Sequence, residues 1–210
     1  MASKQKIAII GAGGFGRELF HLLDDDLYEC VGFIDYNKTE EELLKPIIGH
    51  EDDMDRLLDE YEFSNCALAI GDMKKRQNIH IGIGKYPILF PSLIHSSVQS
   101  FSKDIHDGAV LYPGVVIMND CQIGKFTLLN SGVTLGHDVV IGDFCNINPG
   151  AHLAGRITVG DYTLIGVGAS IKEKIIIGEN AVIGAGSVVI NDVPDNTMVY
   201  GVPAKAVNTS

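Results

Sequence analysis

The chain has 210 residues and a formal net charge of −11, from 27 acidic against 16 basic side chains. That excess of negative charge repels nucleic acid and acidic membrane surfaces, so neither is expected as a partner. No apolar run approaches the roughly eighteen residues of a membrane span, and the polar start, Met1 to Lys6, carries no secretory signal, so the expected compartment is the cytoplasm.

Residues 6–10, Lys-Ile-Ala-Ile-Ile, read as a buried strand. The strand enters Gly11-Ala12-Gly13-Gly14-Phe15-Gly16, which opens an apolar-periodic helix over residues 17–23, ended by Asp24-Asp25-Asp26. Residues 30–34 form a second strand, with Asp35 at its C-terminal end, about twenty positions past the loop. In such a βαβ unit the helix-terminal N–H groups face a phosphate and the acid meets a ribose or base. A tight turn without a ligand gives the same pattern, so the glycine loop alone decides nothing.

An acidic amphipathic helix follows at residues 51–61, with Met54, Leu57 and Leu58 on one face. Residues 66–70 read as a third strand ending in Gly71-Asp72, residues 74–81 as a helix, and residues 87–90 as an extended segment. The polar stretch 95–104 reads as a connection. A dinucleotide fold needs two βαβαβ halves and the first part of this chain holds about one, which favours a nucleotide-sugar over NAD. Cys30, Cys66, Cys121 and Cys145 show no CxxC spacing and the histidines no HxxxH pair, so buried free thiols and no protein-bound metal are expected.

From Ile105 to Val193 the chain repeats every six residues. Ile105, Leu111, Ile117, Ile123, Leu129, Leu135, Ile141, Ile147, Leu153, Val159, Ile165, Ile171, Ile177, Ile183 and Val189 are all Ile, Leu or Val, and a small or aliphatic residue follows four places after each. Fifteen hexads in one phase specify a β-helix: three hexads make a triangular coil of eighteen residues, with the large aliphatic side chain pointing inward. Coils stack at roughly 4.8 Å, and stability comes from stacking because one coil cannot bury its own apolar face. The chain is then expected to leave the prism at Pro194. Two domains follow: 1–95, a small Rossmann-like unit, and 96–210, the β-helix with its tail.

His137 stands in the third place of its hexad, at a turn and pointing outward, with Asp138 beside it. Eighteen residues on, one coil up, the same place is Gly155, which leaves room for a ligand along the prism wall. A histidine is the usual general base near neutral pH, and a carboxylate neighbour orients it. Asn130 and Asn148 share another place one coil apart, which suggests a polar ladder near His137. Spacing leaves open that His137 is an exposed turn residue and the asparagines turn formers.

The glycine loop, Asp35, Ala69-Ile70-Gly71, Asn130, Gly136-His137-Asp138, the unbroken hexads and Gly201-Val202-Pro203-Ala204-Lys205 together resemble the bacterial sugar acetyltransferases. These join a Rossmann-like domain to a left-handed β-helix, and include nucleotide-aminosugar N-acetyltransferases and sialic acid O-acetyltransferase-like relatives. The resemblance implies a left-handed hand for the prism, His137 as catalytic base and Asp138 as the acid that tunes it. It implies a nucleotide-sugar site at Gly13, Gly14, Phe15, Asp35, Tyr36 and Gly71, with Asn130 near the amino-sugar. It places acetyl-CoA against Asn146, Gly155, Val167 and Ala185, in a homotrimer with sites between neighbouring prisms. The expected reaction is direct N-acetylation of a UDP-4-amino-4,6-dideoxy sugar, with a backbone N–H near Gly155 polarising the thioester carbonyl. The rival readings are a sugar O-acetyltransferase, a non-enzymatic nucleotide-binding solenoid and an NAD-dependent enzyme.

Overall fold

The computed structural model describes residues 3–36 and 44–207. The chain divides into two compact units, Met1–Pro91 and Ser92–Ser210.

In the first unit, β1 (Gln5–Ile10), β2 (Tyr28–Ile34), β3 (Ile47–Gly49) and β4 (Asn65–Leu68) form one parallel sheet in the order β3-β2-β1-β4. α1 (Gly14–Leu22), α2 (Met54–Tyr61) and α3 (Met73–Ile83) connect the strands. Ile7, Ile9 and Ile10 of β1 are fully covered, as a central parallel strand with helices on its faces must be. The helix expected at 51–61 is two pieces, a 3₁₀ turn over Glu51–Asp53 and then α2. β3 has no counterpart in the sequence reading, because three residues are too few to show a period. The stretch 87–90 contributes only a bridge from Leu89 to Asn65.

The second unit is a triangular prism of mostly two-residue strands in three sheets of eight, six and five strands, all parallel except for the last strand of the eight-stranded sheet. Both sets of inward residues are dry: Leu111, Ile147 and Ile165 from the large aliphatic places, and Ala109, Cys145 and Ala181 from the small ones. Thr127 and Thr163 also point inward. Each hydroxyl donates to a carbonyl of the next coil, Gly142 at 2.7 Å and Gly178 at 2.7 Å, so no buried hydroxyl is left unpaired there.

The three edges of the prism differ. Each turn has one residue at positive φ, and these residues stack from coil to coil. One edge is glycine: Gly114, Gly132, Gly150, Gly168 and Gly186. A second carries Phe126, Phe144 and Tyr162, whose rings stack at centroid separations of 5.0 and 5.6 Å. The third carries Asp120, Asp138, Arg156 and Lys174.

At both ends the prism runs beyond the regular hexads. The stretch expected to be a connection contains the strands Gln99–Ser100 and Asp104–Ile105, and Leu93–Ile94 precedes them on the eight-stranded sheet. Leu93 pairs with Val110, one residue short of the eighteen-residue offset between Asp104 and Gln122. That slip hides the first coil from a search for six-residue steps. Nor does the chain leave at Pro194: Met198–Gly201 pairs with Val182–Ile183, then folds back antiparallel onto Ala204–Ala206. Here the offset is two residues short, and the returning strand Ala204–Ala206 becomes the edge of the eight-stranded sheet.

Candidate active site

The expected site residues fall into three groups: the glycine loop with the β2 terminus in the first unit, and the charged edge and the glycine edge of the prism in the second.

In the first unit the backbone sets the loop. A Cβ on Gly16 would lie 2.0 Å from the Gly11 carbonyl oxygen, so helix α1 can start this close to β1 only with glycine there. Gly13 and Gly14 are exposed, with nothing near a Cβ at either position. No side chain caps α1, whose Ncap is Gly13. One oxygen of Asp35 accepts from the Ala12 N–H at 2.7 Å, so this carboxylate holds the loop in shape. Beside it a cavity of about 350 Å³ is lined by Asp35, Tyr36, Gly49, His50, Asp53 and Arg56. The Tyr36 ring stacks on His50 at 4.5 Å, and its hydroxyl donates to Asp52. That bond, with the surrounding acids, pushes the phenol up to about 12. His50 escapes a sequence reading because β3, which brings it to the cavity, does, whereas Arg56 sits on the expected helix and only its reach to the cavity is new. Phe15 is half-buried, and Gly71 is exposed just beyond β4.

On the charged edge, Gly136, His137 and Asp138 make the turn after strand Thr134–Leu135. The Nδ1 of His137 and Oδ2 of Asp138 are 2.6 Å apart. Asp138 sits at φ 57°, which swings its carboxylate back toward the ring that precedes it, and its N–H donates to Asn119 O in the coil below. The bond from His137, and then the charges of His137 and Arg156, hold the Asp138 carboxyl below the usual carboxylate range. One coil up stands Gly155: a Cβ there would lie 2.6 Å from His137 Nε2. The ring is therefore packed flat against bare backbone, with Nδ1 committed to the carboxylate and Nε2 remaining for chemistry. The Arg156 N–H donates to His137 O at 2.8 Å, and Arg156 Nε lies 3.7 Å from Asp138 Oδ2. Arg156 is absent from the sequence reading, although an eighteen-residue step from Asp138 lands on it.

Asn130, Val167 and Ala185 belong to the glycine edge, and Asn146 to the strand Asn146–Ile147 of the eight-stranded sheet that leads into it. The Asn130 Oδ1 accepts from its own neighbour, Ser131 N–H, at 2.8 Å. The structure therefore places Asn130 on a different prism edge from His137 and gives its carbonyl a turn-forming role rather than a rung in an asparagine ladder. Val167 is exposed, and a Cβ at Gly132, Gly150, Gly168 or Gly186 would meet nothing within 4 Å. All four cysteines are buried and free. Among the described residues no cluster of three His, Cys, Asp or Glu is arranged to hold a metal.

Residues 6–83 match the PglD N-terminal domain family, and residues 120–155 and 156–191 match the bacterial transferase hexapeptide (six repeats) family. Among solved structures, the chain is similar to a mutant GDP-perosamine N-acetyltransferase from Caulobacter crescentus in complex with CoA and GDP-perosamine. The two share 30% identity over 98% of each chain, with a TM-score of 0.90. The chain belongs to the bacterial sugar acetyltransferases. Two further members are the acetyltransferase domain of PglB from Neisseria gonorrhoeae in complex with acetyl coenzyme A, and WeeI from Acinetobacter baumannii. The first is 30% identical over 98% of this chain and 100% of that one, with a TM-score of 0.81. The second is 28% identical over 97% and 100%, with a TM-score of 0.85. No curated protein sequence matches significantly. This sugar acetyltransferase thus pairs a Rossmann-like unit with a left-handed parallel β-helix, the architecture its relatives share.

Proposed function

We propose that the chain transfers the acetyl group of acetyl-CoA to the amine of a nucleoside-diphosphate-linked amino-sugar, with His137 as general base. The observation that carries this reading is the Asp138–His137–Gly155 arrangement. Asp138 holds Nδ1 at 2.6 Å, and the glycine one coil up leaves the Nε2 side of the ring free of side chain. The acceptor amine attacks the thioester carbonyl carbon. A C–N bond forms, Nε2 takes the amine proton, the C–S bond breaks, and the imidazolium returns that proton to the leaving CoA thiolate. The Gly155 backbone N–H is the proposed donor to the carbonyl oxygen. No covalent acyl-enzyme is required.

The acceptor class rests on the uncapped start of α1 and the adjoining cavity. These suit a diphosphate at Gly13 and Gly14, and a nucleoside beside Asp35 and Tyr36. The Caulobacter relative, solved with GDP-perosamine, supports an amine acceptor on a nucleotide-sugar. The GDP-linked sugar therefore joins the expected UDP-linked 4-amino-4,6-dideoxy sugar as a test substrate. The glycine edge, open beside Gly150, Gly168 and Gly186, gives an extended CoA arm a smooth track past Val167 and Ala185. His137 and this track lie on different edges of one prism, so the complete site requires the histidine edge of one copy to face the glycine edge of another. Three copies close such a ring. No helix among the described residues is long and apolar enough to cross a membrane.

The test is turnover with acetyl-CoA and GDP-, UDP- or dTDP-linked amino-sugars, alongside a hydroxyl acceptor of the same nucleotide. His137→Ala should lower kcat by roughly 100- to 10,000-fold. Near-normal turnover in that variant, or acetylation of the hydroxyl sugar alone, would overturn the proposal.

A further inference from the structure

We infer that Arg156 is a positioning residue that sets the strength of the His137–Asp138 pair, so that the enzyme's pH profile is written partly one coil above its base. This rests on the reading of His137 as general base. Arg156 grips the pair twice. Its backbone N–H donates to the carbonyl of His137 at 2.8 Å, and its Nε lies 3.7 Å from Asp138 Oδ2, the oxygen already paired with His137 Nδ1. The residue reaches this place because it occupies the positive-φ position of its turn, φ 62°, directly above Asp138 at φ 57°. The adjacent Gly155 supplies no side chain to come between them.

The electrostatic consequence has a definite sign. A guanidinium stays charged at every working pH. It shares the oxygen that would otherwise serve the imidazole alone, and it stands as a cation close to a ring that must become a cation during turnover. Arg156 thus fixes the carboxylate and at the same time weakens its pull on the proton. The other charged residues on this edge are Asp120 in the coil below with Lys103 beneath it, and Lys172, Glu173 and Lys174 in the coil above, whose turn donates Lys174 N–H to Gly155 O. The thiol of Cys121, packed beneath with Sγ 3.0 Å from Gly136 O, is pushed up by burial and stays neutral. Asp120 and Glu173 add negative charge to this edge, and Lys103, Lys172 and Lys174 join Arg156 as its cations, with Arg156 the one that reaches Asp138.

The experiment is the pH dependence of kcat/KM for the native enzyme, Arg156→Gln and Arg156→Lys. Both variants carry an unbranched side chain through the same strained turn, so effects on folding are matched. In the glutamine variant the acid limb should move up by about half a pH unit. The lysine variant should keep the native limb, and added salt should shrink the difference because the groups are half exposed. Substrate ionisation is common to all three enzymes and cancels. Arg156→Asn, suited to the left-handed turn, repeats the neutral arm if the glutamine variant is unstable. Superimposable limbs in all three enzymes would overturn the inference while leaving the base intact. Normal turnover in His137→Ala would instead remove the reading on which it stands.

Discussion

The reactive unit is a contact between a side chain and the absence of one. His137 lies against Gly155, and its Nε2 would be 2.6 Å from any Cβ placed there. Gly155→Ala is therefore expected to tilt the imidazole away from its working position without reaching the core, since Gly155 is only half-buried. A misplacement of about 1 Å costs roughly 100-fold in rate. The check is kcat set beside the melting temperature, with kcat falling and the melting temperature holding. A joint loss of both would mean that the glycine serves the fold rather than the histidine. Asp138 belongs to the same scale. Its lowered folded-state value means that the His137 pair contributes stability above the ordinary carboxylate range, and that this is lost as pH falls through the lowered value.

At the scale of the element, the coil is uniform in its spacing and varied in its contents. Most inward small places hold aliphatic residues or cysteine, but Thr163 bridges two coils: its hydroxyl donates to Gly178 O at 2.7 Å and accepts from Ala181 N–H at 3.1 Å. Thr163→Val keeps the shape and strands both backbone groups in a dry interior. We expect a loss of about 1–3 kcal/mol, read as a lower denaturation midpoint with unchanged slope. An unchanged midpoint would mean that the carbonyl and amide find other partners. This element was legible in advance because the inward pattern recurs at a fixed step from Ile105 onward. Its two ends were not, since a coil one residue short at Leu93 and two short at Met198 pairs just as well in space but breaks the count.

At the scale of the whole molecule, one prism cannot bring His137 and Val167 together, because they lie on different edges. If the site forms between copies, His137→Ala and Val167→Arg chains should each be inactive alone and regain activity when unfolded and refolded as a mixture. In a mixed ring, the intact histidine edge of one chain meets the intact glycine edge of another. Absence of recovery in verified mixed oligomers would place each site within a single prism and remove the need for a ring.

The sequence alone determined the prism, its eighteen-residue coil and the stacking of Gly155 over His137, because a strictly periodic backbone makes every side chain's direction a matter of counting. It also marked the loop from Gly11 to Gly16, because close approach of backbone leaves room only for glycine at its two ends, Gly11 and Gly16. Only the tertiary structure decided that Asp35 spends one oxygen on Ala12, that β3 and α2 bring His50 and Arg56 to one cavity, and that Arg156 reaches Asp138. Those contacts depend on side-chain reach and on irregular segments, where spacing along the chain carries no information about distance in space. Asn130, only seven residues before His137, stands on a different edge of the prism because each hexad turns one corner.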